Sequence, residues 1–127
     1  MLHDKTTESI IAAAMRIHSR LGPGLLESAY RDLLYYKLND EGWMVEREKT
    51  IPLHFEGIQI DHAFRVDLLV DRQVAVELKV VEDLRKVHCQ QLLTYLRLGN
   101  FSTGLLINFY VSSLKYGIRR ISNARTT

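Results

Sequence analysis

The segment VAVELKVV, Val74–Val81, decides the fold of this chain. Its apolar residues follow one another as in a buried strand, but a carboxylate, Glu77, and an ammonium group, Lys79, interrupt them. Ionised side chains are costly to desolvate in such a place unless partners, a metal ion or water compensate them. Because side chains alternate along a strand, Glu77 and Lys79 share one face and the apolar residues beside them take the other. The segment therefore predicts a core strand with chemistry on one face.

A second strand is predicted just before it, at Phe64–Val70. The short polar turn Asp71–Gln73 joins the two strands, which predicts a hairpin in the centre of the sheet. If this loop has three residues, residue 70 pairs with residue 74, and Asp67 then lies directly opposite Glu77. The two carboxylates would share a face of the sheet. A loop shorter by one residue would separate them, unless a bulge compensates. The same alternation puts the side chain of Asp67 on the opposite face of the sheet from those of Val66 and Leu68.

Two paired carboxylates predict a metal site. Like charges directly across a sheet are destabilising unless something positive lies between them. A hard divalent cation such as Mg²⁺ or Mn²⁺ prefers oxygen ligands, which Asp67 and Glu77 would supply. Lys79 could then orient an attacking water or stabilise charge on a phosphate. The alternative is an ordinary, half-solvated strand face that carries a Glu and a Lys.

Apolar residues at helical spacing predict three helices, over 6–21, 25–40 and 82–98. The first ends at the breaking triplet Gly22–Gly24 and the second at Gly42. The first two helices are expected on one side of the sheet, and the third beside the active edge. The stripe of the third helix is predicted to contain Leu84, Val87, Gln91, Leu92 and Tyr95.

Further strands are predicted at both ends of this core. From Trp43 the apolar period changes toward two, and Glu56-Gly57 is a turn signal, so two modest strands are expected near a sheet edge. The segment 103–111 predicts a buried strand, after which a basic tail either contacts phosphates or forms a solvated terminus. The cations of this tail are Lys115, Arg119, Arg120 and Arg125.

Composition limits the classes of protein that the chain can belong to. Its 127 residues, 46% of them hydrophobic, fit one domain over 1–127. A formal charge of +2 permits an anionic partner such as nucleic acid without requiring one. A single cysteine, Cys89, excludes an internal disulfide framework, and no apolar run approaches the roughly 20 residues of a membrane-spanning helix. A cytoplasmic protein without a membrane partner is expected. His62, His88 and Cys89 lack the spacing of a zinc site.

The acidic pair resembles the core of a known superfamily. Asp67, nine intervening residues and Glu77-Leu78-Lys79 are similar to the metal-binding motif of the PD-(D/E)xK nucleases, with Val66 in place of the proline. Gly24, Glu27 and Tyr30 match the GxxExxY signature that names a family of that superfamily. Gln91 and Tyr95 match the QxxxY helix of its exonuclease-like branches.

The resemblance implies an α/β fold with a restriction-endonuclease-like core, that is, a central mixed β-sheet flanked by α-helices. It implies Mg²⁺- or Mn²⁺-dependent hydrolysis of phosphodiester bonds in DNA or RNA. Asp67, Glu77 and the backbone carbonyl of Leu78 would bind the metal ion, with Glu27 as a further carboxylate near it. Lys79 would assist the attacking water.

Substrate contacts are implied for Gln91 and Tyr95, which share a helix face, and for Tyr30. Each has a structural alternative: core packing with a satisfied hydroxyl for Tyr30, and a hydrogen-bonded core face for the other two. Glu27 could equally be an acid that is favourable at a helix N-terminus.

Nucleic acid is the expected partner, and a second copy of the chain or a protein partner could supply contacts that so small a domain lacks. The rival function is a catalytically silent nuclease-like module that binds nucleic acid or a partner protein. Gene neighbourhood alone could indicate a third function, in a toxin–antitoxin or phage-defence system.

Overall fold

Five strands form one mixed sheet, and three α-helices flank it, in the computed structural model, which describes residues 4–124. The helices are α1 (Asp4–Leu21), α2 (Glu27–Asp40) and α3 (Lys86–Gly99). The strands are β1 (Val45–Phe55), β2 (Ile58–Val70), β3 (Val74–Lys79), β4 (Thr103–Asn108) and β5 (Ile118–Ser122), and a 3-10 helix, Leu114–Gly117, precedes β5. The strands lie in sequence order; β3 and β4 are parallel, and the other neighbours are antiparallel. The predicted α/β architecture is confirmed.

Helices α1 and α2 cover one face of the sheet. The residues that they bury at helical spacing are Ile10, Ala13, Ala14, Ile17, Tyr30, Leu34 and Leu38. These residues pack on alternate residues of β3 and β4, including Leu78 and Ile107. Each buried Leu or Ile contributes roughly 1.5–3 kcal/mol, so this layer is a main source of stability.

Helix α3 covers the opposite face. Its Leu92 and Leu96 are fully buried and pack with Ala75 and Leu106 of the sheet. The close approach depends on Gly104 of β4, because a Cβ atom there would lie 3.0 Å from Leu92 Cδ2. The sheet is therefore a central layer with helices on both sides, as expected.

Three predictions about the first hairpin have different outcomes. The turn at Glu56-Gly57 is confirmed, with both residues at positive φ (47° and 83°), as a tight hairpin turn requires. β1 is an edge strand, as expected. The separate modest strand after the turn is wrong, because residues 58–70 form one strand that pairs with β1 along nearly its whole length.

The boundaries around α3 also differ from the prediction. β3 ends at Lys79, and α3 begins at Lys86 instead of residue 82. The intervening loop is held by Asn108, whose side chain accepts from Val81 N–H (3.1 Å) and donates to Val81 O (2.8 Å). Within α3, Val87 is exposed, and so is Gln91. The predicted stripe is wrong at these two positions.

The basic tail forms a strand within the described residues. β5 pairs with β4, so Arg119 and Arg120 are on an edge strand and Lys115 is in the 3-10 helix. Arg125 lies outside the described residues. β4 itself ends at Asn108, three residues earlier than predicted. Within residues 4–124, no helix is long and apolar enough to cross a bilayer.

Candidate active site

The candidate site lies where β2 and β3 stop pairing through their backbones. Val70 pairs with Val74, which confirms the predicted loop of three residues. The ladder runs for two more pairs, and the next residues along the same register are Asp67 and Glu77. The structure therefore brings the two sequence-predicted carboxylates opposite each other.

The two carboxylates take over backbone hydrogen bonds at this point. The N–H of Asp67 donates to Glu77 Oε1 at 3.2 Å, and the N–H of Leu78 donates to Asp67 Oδ2 at 2.8 Å. A carboxylate of each strand thus accepts a backbone N–H group of the other strand. A carboxylate that accepts a backbone N–H is held in a fixed orientation, so the pair is rigidly placed before any ligand binds.

Asp67 also marks a change of faces in β2. Val66 packs in the α3-side cluster, whereas Leu68 packs on the α1 and α2 side. Simple alternation would put Val66 and Leu68 on the same face of the sheet. The prediction that the side chain of Asp67 lies on the opposite face from both of them is therefore wrong. Across from Asp67, the β1 residue Glu48 is skipped in the ladder and has a left-handed backbone (φ 50°). An irregularity of this kind re-aims side chains beside a functional site.

The carboxylate pair resists full ionisation. Burial, and then the neighbouring charge of Asp67, raises the pKa of Glu77 from its ordinary value of 4.5 to about 8. The pKa of Asp67 is also raised, chiefly by burial, although the Leu78 N–H and the charge of Lys79 oppose this shift. Two close acids with raised pKa values are typical of sites that bind a cation or transfer a proton.

Lys79 supplies a positive charge on the same face. Its Nζ lies 3.7 Å from Glu77 Oε2, and its side chain is 20% exposed. Within residues 4–124, Lys79 makes no ion pair with Asp67, so it does not close the site by bridging both acids. Its ammonium group is therefore near the acids and still reached by solvent.

Glu27 approaches the pair from α2. It is the first residue of that helix, where an acid is favourable, and its side chain is exposed. Partial desolvation and the charge of Asp67 raise the pKa of Glu27, whereas Lys79 lowers it. The carboxylate therefore interacts with the site electrostatically, from the helix N-terminus where an acid is also favourable.

On the other side of the sheet, α3 places Tyr95 near the acids. Its ring is stacked on Phe64, with centroids 4.4 Å apart. Desolvation and the charges of Glu77 and Asp67 raise the pKa of the Tyr95 hydroxyl. Gln91 lies one turn earlier and is exposed, so the predicted core-face alternative does not apply to it.

Tyr30 is in the core and does not line the site. It is fully buried and stacks on Phe109, with centroids 4.1 Å apart. Its hydroxyl donates to Gly22 O and accepts from Leu25 N–H at 3.2 Å. Because the loop before α2 uses the hydroxyl and the ring is buried, the structure places Tyr30 as the packing alternative describes and not among the residues around the acids.

Asp67 and Glu77 supply some of the oxygen ligands that a hard cation requires. Asp67 and Glu77 offer carboxylate oxygens, and Mg²⁺ is commonly held by one or two carboxylates together with water and substrate phosphates. Within residues 4–124, no three His, Cys, Asp or Glu side chains cluster closely enough to hold a metal ion. Among the residues that the structure describes, Glu27 therefore does not join the pair as a third close ligand.

Sequence reasoning missed Arg31. It lies four residues after Glu27 on α2, so the two share a helix face. The charge of Arg31 lowers the pKa of both Glu27 and Asp67, which places it near the carboxylates. This spacing was the one sequence signal that could have identified it.

Comparison with known proteins agrees with this geometry. The family model of the PD-(D/E)XK nuclease superfamily matches residues 4–121, and the chain belongs to this superfamily. No curated protein and no solved structure matches the chain significantly. The mixed sheet with flanking helices is consistent with the restriction-endonuclease-like fold. Membership suggests a nuclease-like function and implies contact with nucleic acid, and nucleases of this superfamily generally use divalent metal ions.

Proposed function

We propose that this protein is a Mg²⁺- or Mn²⁺-dependent nuclease that hydrolyses phosphodiester bonds in DNA or RNA. The single observation that carries the proposal is the pair of hydrogen bonds by which Asp67 of β2 and Glu77 of β3 each accept a backbone N–H group of the other strand. This arrangement holds a buried acid, Glu77, and a partly buried acid, Asp67, together although their charges repel, and burial raises the pKa of both. Two close carboxylates are destabilising unless a cation or a proton is shared between them.

The residues take distinct roles in this proposal. Asp67, Glu77 and the Leu78 carbonyl would hold the metal ion, and Glu27, which stands apart from the pair, would be a further carboxylate near it. The bound ion would supply a Lewis acid that lowers the pKa of water and neutralises charge on the phosphate. Lys79 orients the attacking water beside Glu77.

Gln91 and Tyr95 are proposed to contact the nucleic acid backbone. The exposure of Gln91 and the position of Tyr95 beside the acids support this role. We further propose that residues 1–127 act as one nuclease unit in the cytoplasm, with a homodimer or a protein partner extending its grip.

Within the superfamily, we propose that the chain belongs to the GxxExxY family. The contacts of Gly24, Glu27 and Tyr30 suggest a physical reason for that signature. Tyr30 fixes the loop that contains Gly24, through its hydrogen bonds to Gly22 and Leu25. That loop leads directly into Glu27, which begins α2. The tyrosine would therefore position the glutamate without touching substrate.

Calorimetric titration with Mg²⁺ and Mn²⁺ tests the proposal. The wild type is compared with the double variant Asp67→Ala, Glu77→Ala, and the same samples are incubated with labelled single- and double-stranded DNA and RNA. We expect metal binding and metal-dependent cleavage in the wild type, and neither in the double variant. The variant Asp40→Ala, which changes an exposed acid at the end of α2 away from Glu27, is the control and should behave as the wild type.

A silent binding module is the second candidate. The ion pair between Lys79 and Glu77 and the lack of a third close ligand within residues 4–124 favour it. A folded wild type that binds oligonucleotides but neither binds metal nor cuts would replace the nuclease by this module.

A further inference from the structure

The structure shows a second cation beside the acidic pair, the guanidinium of Arg31. Its side chain is only 19% exposed, and it extends from the same face of α2 as Glu27. Arg31 Nη1 donates to Glu48 Oε1 at 2.7 Å, and Nε donates to Asp32 Oδ1 at 3.1 Å. Glu48 is the β1 residue across from Asp67, at the interruption of the ladder. These contacts fix Arg31 next to the carboxylate site.

One nitrogen of the Arg31 guanidinium, Nη2, is available to donate hydrogen bonds to a ligand. A guanidinium has N–H donors on all three nitrogens, and the two acids use only those on Nε and Nη1. Within residues 4–124, no protein acceptor binds Nη2, and no buried side-chain nitrogen or oxygen is without a partner. The N–H groups on Nη2 therefore reach solvent, where a ligand can meet them.

Within the network of ion pairs that holds Arg31, cations outnumber acids. Asp32 is shared by Arg31 and Arg47 at 3.1 Å each, and Glu48 is shared by Arg31 and, at 3.8 Å, by Arg65. Three arginines thus face two acids. An anion that enters next to Asp67 and Glu77 would otherwise meet like charge, so a fixed cation at this place favours its entry.

We propose that Arg31 forms a phosphate-binding subsite beside the Asp67–Glu77 pair and binds a nonbridging oxygen of the nucleic acid backbone through Nη2. The inference rests on the proposed function and names the group that holds the substrate phosphate. Guanidinium suits this ligand because its planar donors match phosphate oxygens in pairs. Asp32 and Glu48 orient the group, and Lys79 remains with Glu77.

A matched pair of variants tests the subsite. Arg31→Gln and Glu48→Gln each remove the same 2.7 Å ion pair, but only the first removes the phosphate contact. Binding of a labelled single-stranded oligonucleotide is measured by fluorescence anisotropy in EDTA, where a metal-dependent nuclease does not cut, from about 50 to 200 mM salt.

We expect Arg31→Gln to weaken binding about tenfold and to reduce the slope of log K against log salt by about 0.7. Glu48→Gln should bind as tightly as the wild type or more tightly, with an unchanged slope, because it removes a negative charge. Arg31→Lys should keep the slope, since it keeps the charge. Thermal unfolding of each variant confirms that it is folded.

Equal losses in Arg31→Gln and Glu48→Gln would overturn the inference, because Arg31 would then act only by holding Glu48. Wild-type affinity and slope in a folded Arg31→Gln variant would overturn it too, and would leave the nuclease proposal intact if the wild type cuts. A wild type that neither binds the oligonucleotide in EDTA nor cuts it with Mg²⁺ or Mn²⁺ would overturn both proposals.

Discussion

The two ends of the β2–β3 pair satisfy their backbones by different means. At the turn, Val70 and Val74 begin a regular ladder between fully buried apolar residues. At the open end, carboxylates replace the ladder, since Asp67 and Glu77 accept the N–H groups that no longer meet a carbonyl across the pair. One end contributes hydrophobic stability, and the other holds charges that burial disfavours.

The difference explains how so small a protein can hold a strained site. Acids with raised pKa values reduce stability when they ionise, and a rigid neighbouring core offsets that cost. The regular ladder begins one residue away from the acids, so stability and reactivity are separated along the same two strands. The predictions below probe the two ends.

The largest effect is expected at the open end. Asp67→Asn should lower metal-dependent cleavage at least about a thousandfold, roughly 4 kcal/mol, because the neutral amide is a poor metal ligand. Its oxygen can still accept the Leu78 N–H, so the fold should persist. Single-turnover rates at saturating metal provide the measurement. A rate within about tenfold of the wild type would show that Asp67 does not hold the metal ion.

In the regular part of the ladder, Leu68→Ala should lower the free energy of unfolding by about 2–5 kcal/mol, since Leu68 is fully buried against α1 and α2. The cleavage rate per folded molecule should change little. Urea denaturation, followed by circular dichroism, measures the first quantity. Exposed Leu98 provides a matched control, and Leu98→Ala should cost less than about 0.5 kcal/mol. Equal costs would show that the ladder end is not the stabilising one.

The ionisation of the acids predicts a dependence of stability on pH. Because the pKa of Glu77 is raised from 4.5 to about 8 in the folded protein, the folded state holds its proton more tightly than the unfolded chain. In EDTA the associated stability is fully present below pH 4.5 and is lost as the pH rises through 8. We expect a loss of roughly 1–3 kcal/mol, discounted for relaxation of the site.

Glu77→Gln should flatten this profile, and added Mg²⁺ should restore stability most strongly at the alkaline end. Urea midpoints of the wild type and the variant, across the window and in matched buffers, give the comparison. Glu46→Gln, at an acid on the edge strand β1, should leave the profile unchanged. A wild type whose stability rises with pH through this window would contradict the assignment.

The smallest effect is expected far from both ends. Arg16 and Glu41 form an ion pair at 2.6 Å, but their side chains are 55% and 36% exposed. Exposed pairs contribute little, so Arg16→Ala should change the free energy of unfolding by less than about 1 kcal/mol. The measurement is the same urea titration, at low and at high salt. A larger loss that salt does not reduce would point to packing by the arginine stem instead.

Several features could be predicted because they depend on local sequence. The three helices follow apolar periodicity, and the loop at Asp71–Gln73 sets the register that brings Asp67 to Glu77. Loop length acts over a few residues, so it can be counted along the chain. The same is true of the turn at Glu56-Gly57.

Other features depend on partners that are distant in sequence. β5 has only two apolar residues, Ile118 and Ile121, and exists as a strand because β4 offers it an edge. The late start of α3 follows from Asn108, which ties down the loop at Val81. The tail and the loop therefore could not be predicted from their own composition.

The residues around the site divide in the same way. Tyr30 shares a motif with Glu27, yet burial against Phe109 removes it from any substrate. Arg31 belongs to no motif, and only its contact with Glu48 on another element places it beside the acids.

The sequence by itself determined which strands carry Asp67, Glu77 and Lys79, and that the first two face each other. These facts follow from alternation and loop length, which are short-range properties of a chain. Only the tertiary structure decided that β2 changes faces at Asp67, how strongly the acids are perturbed and which cations stand near them. Burial and electrostatic interactions depend on the distances between atoms of separate elements, and those distances exist only after the chain has folded.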